Sequence, residues 1–365
     1  MLGVCAVMLG CACTAAEVES IATTAPAAKR LNPRILAMGD NAWLKMKPPR
    51  EPDGRNYSCP CWGDGKIFYF GGAHFSYQYD DIDFYDIAAN AWTRSWEDRA
   101  RAPKKGEEAP LPHSPKTGRL WPRHTYQQVC WLPERKVFFY MPGIDTWEFD
   151  PAKMKWTWLA GAHGKDKQTF SPKPQGIQNS HCFYSPDLKA PVAIMTTGDW
   201  GTYVFDQAKG EWRKRKPVPQ KTVWHELYST YVPPLKCHLV SQRGEPFMWT
   251  YNAATEEWKD LAGVPEPLRG CQALAYDSAN GVVLAMVTDP QAKGTRRPLL
   301  TWVLDPRTMK WSLEKSSGPV PLGSAAWAPL WYDRDHNAFF FLNRTGQSGC
   351  ETWVYRYKSV VKKSE

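Results

Sequence analysis

At 365 residues, with 43% hydrophobic and 23% charged positions, the chain has the composition of a folded globular protein, which excludes a dominant disordered region. Its 19 Trp and 31 Pro argue against long helices and for many short strands joined by turns, because Pro breaks helix interiors and Trp supplies large buried wedges. The formal charge of +9 draws acidic partners at low ionic strength, but no zinc-ligand spacing, basic heptad region or RNP-like strand pair accompanies it, so nucleic acid is not an expected partner.

In chain order, residues 1–16 (MLGVCAVMLGCACTAA) are small and apolar, and suit an export signal better than a membrane span. Two processing readings stay open. Thr14-Ala15-Ala16 offers the small residues of a signal-peptidase site, and Met8-Leu9-Gly10-Cys11 is similar to a bacterial lipobox. The chain is therefore expected to be exported, periplasmic, secreted or lipid-anchored, with membrane attachment only through a lipid on Cys11; a disordered cytosolic leader is the plainer alternative. Residues 17–39 read as a linker, 40–358 as the folded domain and 359–365 as a basic tail. The domain holds seven cysteines, an odd number without a C-x-x-C pair, which are expected to sit buried as small hydrophobes.

An internal repeat fixes the fold class. An aromatic or aliphatic residue, then Asp or Asn, then a Trp six positions on, occurs five times: Tyr85-Asp86 with Trp92, Phe149-Asp150 with Trp156, Phe205-Asp206 with Trp212, Tyr251-Asn252 with Trp258, and Leu304-Asp305 with Trp311. Each copy reads as a strand, a turn opened by the Asp or Asn side chain, and a second strand starting near Trp. Two further short strands precede every copy, beginning with Tyr57 to Trp62 and Lys66 to Phe70, then Tyr126 to Trp131 and Lys136 to Tyr140. Each unit thus has four strands. A sixth unit near the C-terminus stops at Arg356 without its Trp, while Asn41-Ala42-Trp43 repeats the text of Asn90-Ala91-Trp92. The expectation is an all-β, six-bladed β-propeller whose N-terminal strand near Trp43 completes the last blade.

These hairpins, together with Phe70-Gly71-Gly72 after a second strand and Arg55 and Arg123 ahead of first strands, resemble kelch-repeat propellers over about residues 40–358. Only the first unit carries the double glycine of that family. Within it, galactose-oxidase-like members imply a copper site with a Tyr-His dipeptide and seven repeats; the chain has neither, so oxidase activity is not expected. The chain resembles bacterial sialic-acid mutarotases in size, export and blade number, and that resemblance implies acid/base chemistry on a sugar ring; their catalytic residues do not align onto this chain, and Glu226 as base with Arg269 or Arg123 as carboxylate clamp are the candidates it offers.

In a four-stranded blade the 4–1 and 2–3 loops leave on one face, and that face receives nearly all the long loops. Its basic residues, among them Arg94, Arg99, Arg101, Lys104, Lys105, Lys116 and Arg119, then Arg213, Lys214, Arg215, Lys216 and Lys221, then Lys293, Arg296 and Arg297, read either as a funnel for an acidic glycan or protein or as an ordinary solvated surface. Nearest the axis should lie the residues entering each first strand: Arg55 and Tyr57, His124 and Tyr126, Asn179 and His181, His225 and Glu226, Arg269 and Cys271, and Trp327. His124, His181 and His225 fall at different heights along their strands, so neither a metal nor another cofactor is expected. The residues favour a binding module for an acidic glycan or protein, with a mutarotase-type enzyme as the alternative.

Overall fold

The computed structural model describes residues 30–72, 77–103, 113–141, 145–160, 180–195, 201–219, 227–242, 248–268, 271, 273–294, 296–323, 329–345 and 349–360. The leader lies outside them. From Leu31 onward the chain forms one compact unit built of six antiparallel sheets.

Blade one is β2 (Cys61–Gly63), β3 (Lys66–Tyr69), β4 (Asp83–Asp86) and β5 (Ala91–Arg94); blade two is β6 (Val129–Leu132), β7 (Val137–Tyr140), β8 (Thr146–Asp150) and β9 (Lys155–Ala160). Blade three is β10 (His181–Ser185), β11 (Ala190–Ile194), β12 (Thr202–Asp206) and β13 (Glu211–Arg215); blade four is β14 (Leu227–Val232), β15 (Cys237–Gln242), β16 (Met248–Asn252) and β17 (Glu257–Asp260). Blade five is β18 (Ala273–Asp277), β19 (Val282–Thr288), β20 (Arg297–Asp305) and β21 (Lys310–Glu314), with β22 (Leu322–Gly323) paired to β20. Blade six is β23 (Leu330–Asp333), β24 (Ala338–Arg344) and β25 (Cys350–Arg356), and its outermost strand is β1 (Ala42–Lys45). Trp43 pairs with Tyr355 in the register that Trp92 keeps with Tyr85. The expected six-bladed propeller, closed by its first strand, is the observed fold.

The repeat explains itself in the structure. The Asp or Asn at each 3–4 turn accepts backbone N–H groups with its Oδ1: Asp150 from Ala152 and Lys153, Asp206 from Ala208 and Lys209, Asn252 from Ala254 and Thr255. Two residues before each Trp the backbone turns left-handed, at Asn41, Asn90, Met154, Gly210, Glu256 and Met309. Only one of these is glycine, so the side-chain bonds hold the turn where glycine would have adopted it freely.

Each Trp then fills one seam. Trp92 packs between blades six and one, Trp156 between one and two, and Trp212 between two and three. Trp258, Trp311 and Trp43 occupy the next three in turn, so six apolar clusters correspond to six seams. Two indoles also bond across their seam, Trp92 Nε1 to Thr352 Oγ1 at 2.8 Å and Trp212 Nε1 to Thr146 Oγ1 at 2.7 Å. The seven cysteines are buried and unbridged, as expected of small hydrophobes.

Structure begins earlier than the linker reading of residues 17–39 placed it. Asn32 is buried and caps a short helix, α1 (Pro33–Leu36). The Asn32 N–H donates to His336 Nε2 at 2.8 Å, and Arg356 reaches the carbonyls of Leu36 and Met38. At the other end Ser359, expected in the tail, bonds to Asp40. Buried Asn32, His336 and Arg356, with the exposed Asp40–Ser359 pair, thus clasp the segment ahead of β1 to the sixth blade.

Candidate functional site

The approach to the axis is built from segments just ahead of the first strands. The sequence reading ran the first strands of blades one and two from Tyr57 and Tyr126, but regular pairing starts at Cys61 and Val129. The reason is that Tyr57 and Tyr126 both take positive φ, and these segments pair with each other across the seam. Tyr126 N–H donates to the Tyr57 carbonyl at 2.8 Å, Cys59 N–H to the Tyr126 carbonyl at 3.0 Å, and Cys182 N–H to the Gln127 carbonyl at 2.7 Å. A stepped strip of parallel bridges therefore crosses blades one, two and three at the mouth of the channel.

That strip brings three of the expected site residues together. The Tyr57 ring stacks on His124 with centroids 4.7 Å apart, Tyr126 stands edge-on to both, and His124 Nδ1 lies 2.6 Å from the Tyr126 hydroxyl. Tyr57 and His124 are half-buried, as is Arg123 beside them. Arg344, at the end of β24 in blade six, bonds to Asn56 and adds a second guanidinium that sequence reasoning missed.

Arg55 has another role. It is fully buried, donating to Asp83 Oδ2 at 2.8 Å and to the carbonyls of Gly71 and Asp81, with its guanidinium 3.8 Å from the Tyr77 ring centroid. Burial pushes the Asp83 carboxyl up, and the Arg55 and Arg50 guanidiniums more than offset this and hold it below the usual range. The guanidinium is thereby engaged inside blade one and does not reach the channel.

Below the mouth lies a cavity of about 260 Å3 on the propeller axis. Its polar wall is Gln127, His181 and Ser229, with His181 Nε2 2.7 Å from the Ser229 hydroxyl, and its far end is walled by Trp62, Trp131, Tyr184 and Trp331. Gln127 is 6% exposed and its Nε2 has no partner among the described residues. Burial lowers His181 to about 3, against which the Gln127 carbonyl works only partly, so the imidazole is neutral.

A second histidine, His238 on β15, is 2% exposed against Phe183 and Tyr231, and burial likewise lowers it to about 3. Both rings are neutral in the folded chain at any pH above that value, whereas in the unfolded chain they titrate near 6.5. The unfolded state alone therefore takes up protons as pH falls below 6.5, and stability falls with it. Asp83, whose carboxyl is depressed, loses its contribution only below its ordinary 3.8 and does not act in the same window. Replacing His238 by Phe should remove about 2 kcal/mol of the stability lost between pH 7 and pH 5. Urea unfolding at the two pH values checks this, and parallel losses in H238F and wild type would overturn it.

Much of the expected basic rim is neutralised internally. Arg213, Lys214 and Arg215 lie in the outer strand β13 rather than in a loop; Arg213 pairs with Asp206 and Arg215 with Glu256 of the next blade. Arg94, at the end of β5, meets Asp53 and Asp81, while Arg119 meets Asp98 and stacks over Trp96. Arg297 opens β20. Asn179, His225, Glu226, Arg269 and Trp327, with Lys104, Lys105 and Lys221, lie outside the described residues. Among the described residues no group of three or more His, Cys, Asp or Glu side chains is placed to hold a metal ion. Cys271 is buried in the seam between blades four and five, away from the mouth.

Fold and site together define a six-bladed β-propeller with an axial mouth, an architecture that serves as a binding module or as an enzyme scaffold. No family model matches the chain, and no curated protein matches it.

Proposed function

We propose that the chain is an exported, kelch-type propeller that binds an acidic glycan at its axial mouth. The observation that carries this reading is the cluster of Tyr57, His124 and Tyr126, flanked in sequence by Arg123 and, through the Arg344 bond to Asn56, by a guanidinium from blade six. Aromatic rings offer flat faces to the C–H side of a sugar, and guanidiniums offer paired donors to a carboxylate or sulfate. The kelch assignment rests on the repeated Asp-to-Trp hairpins and the glycine pair Gly71-Gly72. Because Arg94, Arg119, Arg213 and Arg215 are paired with carboxylates, specificity is assigned to the aromatic cluster at the mouth rather than to the wide basic surface.

A panel of sialylated, uronate, sulfated and neutral glycans, screened at two salt concentrations, tests the proposal. Acidic sugars should bind selectively, and Tyr57→Ala should weaken that binding by at least tenfold while the melting temperature stays within a few degrees of wild type. Absence of glycan binding at low salt would overturn the glycan reading and leave a protein ligand.

A further inference from the structure

The channel wall carries a chemical feature that the glycan reading does not use. Cys130 on β6 and Cys182 on β10 face each other across the seam between blades two and three, their sulfurs 3.7 Å apart. Both are buried and unbridged, and both line the axial cavity, so a small reagent in the channel has a route to them. The inner strands that carry them are fixed by the Cys182 N–H bond to the Gln127 carbonyl. A disulfide needs about 2.05 Å between sulfurs, so the pair as it stands is short of bonding distance and must close.

We propose that Cys130 and Cys182 form a thiol modification site at which a small disulfide installs a cystine staple between blades two and three. One cysteine loses its proton and its sulfur attacks the reagent disulfide, expelling one thiolate and forming a mixed disulfide. The second cysteine then displaces the other reagent sulfur, so the protein gives up two electrons and two protons and the reagent leaves as two thiols. Burial and the neighbouring Cys182 push the Cys130 thiol up, which keeps the thiolate scarce and makes the reaction slow. In an oxidising compartment the staple is the resting state, and in a reducing one the thiols are.

The full chain, folded, is incubated with 2-hydroxyethyl disulfide at pH 8, then unfolded, alkylated and digested without reduction. A linked peptide pair containing Cys130 and Cys182 is expected, together with a rise in melting temperature of roughly 5 °C that dithiothreitol reverses. Cys182→Ser should abolish both. Complete alkylation of Cys130 and Cys182, a persistent mixed disulfide on either, or linkage of Cys130 to Cys61, which lines the same cavity, would each overturn the proposal. If C182S does not fold, the peptide map of the wild type and the melting shift between its oxidised and re-reduced forms decide the matter alone.

Discussion

Replacing Trp156 by Ala should cost about 3–5 kcal/mol and lower the melting temperature by roughly 10 °C. Trp156 is 8% exposed and lies between rings of two blades: Phe70 and Phe149 have centroids 5.0 Å away, Tyr140 6.2 Å and Phe68 6.3 Å. These neighbours sit on β3, β7, β8 and the residue following β3, and backbone pairing holds them in place. They cannot collapse into the vacated volume, and a cavity that does not close is the costly kind. Trp258 and Trp311 are only partly buried, so their removal should cost less. Urea denaturation of the three variants orders them, and a Trp156→Ala protein as stable as wild type would overturn the seam assignment.

The second large effect is expected at Arg55. Substituting Met keeps much of the volume but removes the one guanidinium that, among the described residues, faces the buried carboxylates of both Asp81, 3.6 Å away, and Asp83, 2.8 Å away. Asp83 would retain Arg50, which is partly exposed, and Asp81 would retain Arg94. Breaking a buried pair by removing one partner costs about 3–5 kcal/mol, and with one partly exposed guanidinium left to each carboxylate the loss is expected at the lower end of that range. A triple variant with Asp81 and Asp83 changed to Asn should recover part of the loss. If R55M unfolds at the same denaturant concentration as wild type, the ion network is not what holds this part of blade one.

The blades were legible because every one repeats a local rule: a side-chain-capped turn and a Trp at fixed distance need no knowledge of distant chain. Tyr57, His124 and Tyr126 were legible for the same reason, since residues just ahead of an innermost strand must come near the axis. Arg55 occupies a similar place in sequence, yet its surroundings are set by Asp81 and Asp83, more than 25 residues away. Arg344 joins the mouth from the far end of the chain, 288 residues from its partner Asn56, and no local pattern marks it. The rim read as basic because charges were summed along loops, while Arg215 finds Glu256 in the neighbouring blade only after the ring is assembled. Register between blades, rather than within them, is what the local text lacks.

Closure by β1 also sets an order of events during synthesis. Ala42 leaves the ribosome early, but its partner Arg356 is made more than 300 residues later, so the first strand waits unpaired through translation of five complete blades. The ring cannot close before Arg356 has emerged, and until it shuts the nascent chain exposes a strand edge on either side of the seam. A chaperone or export carrier that keeps those edges apart would delay folding without touching any blade interior. Emergence of β25 is then the step that commits the chain to its native form.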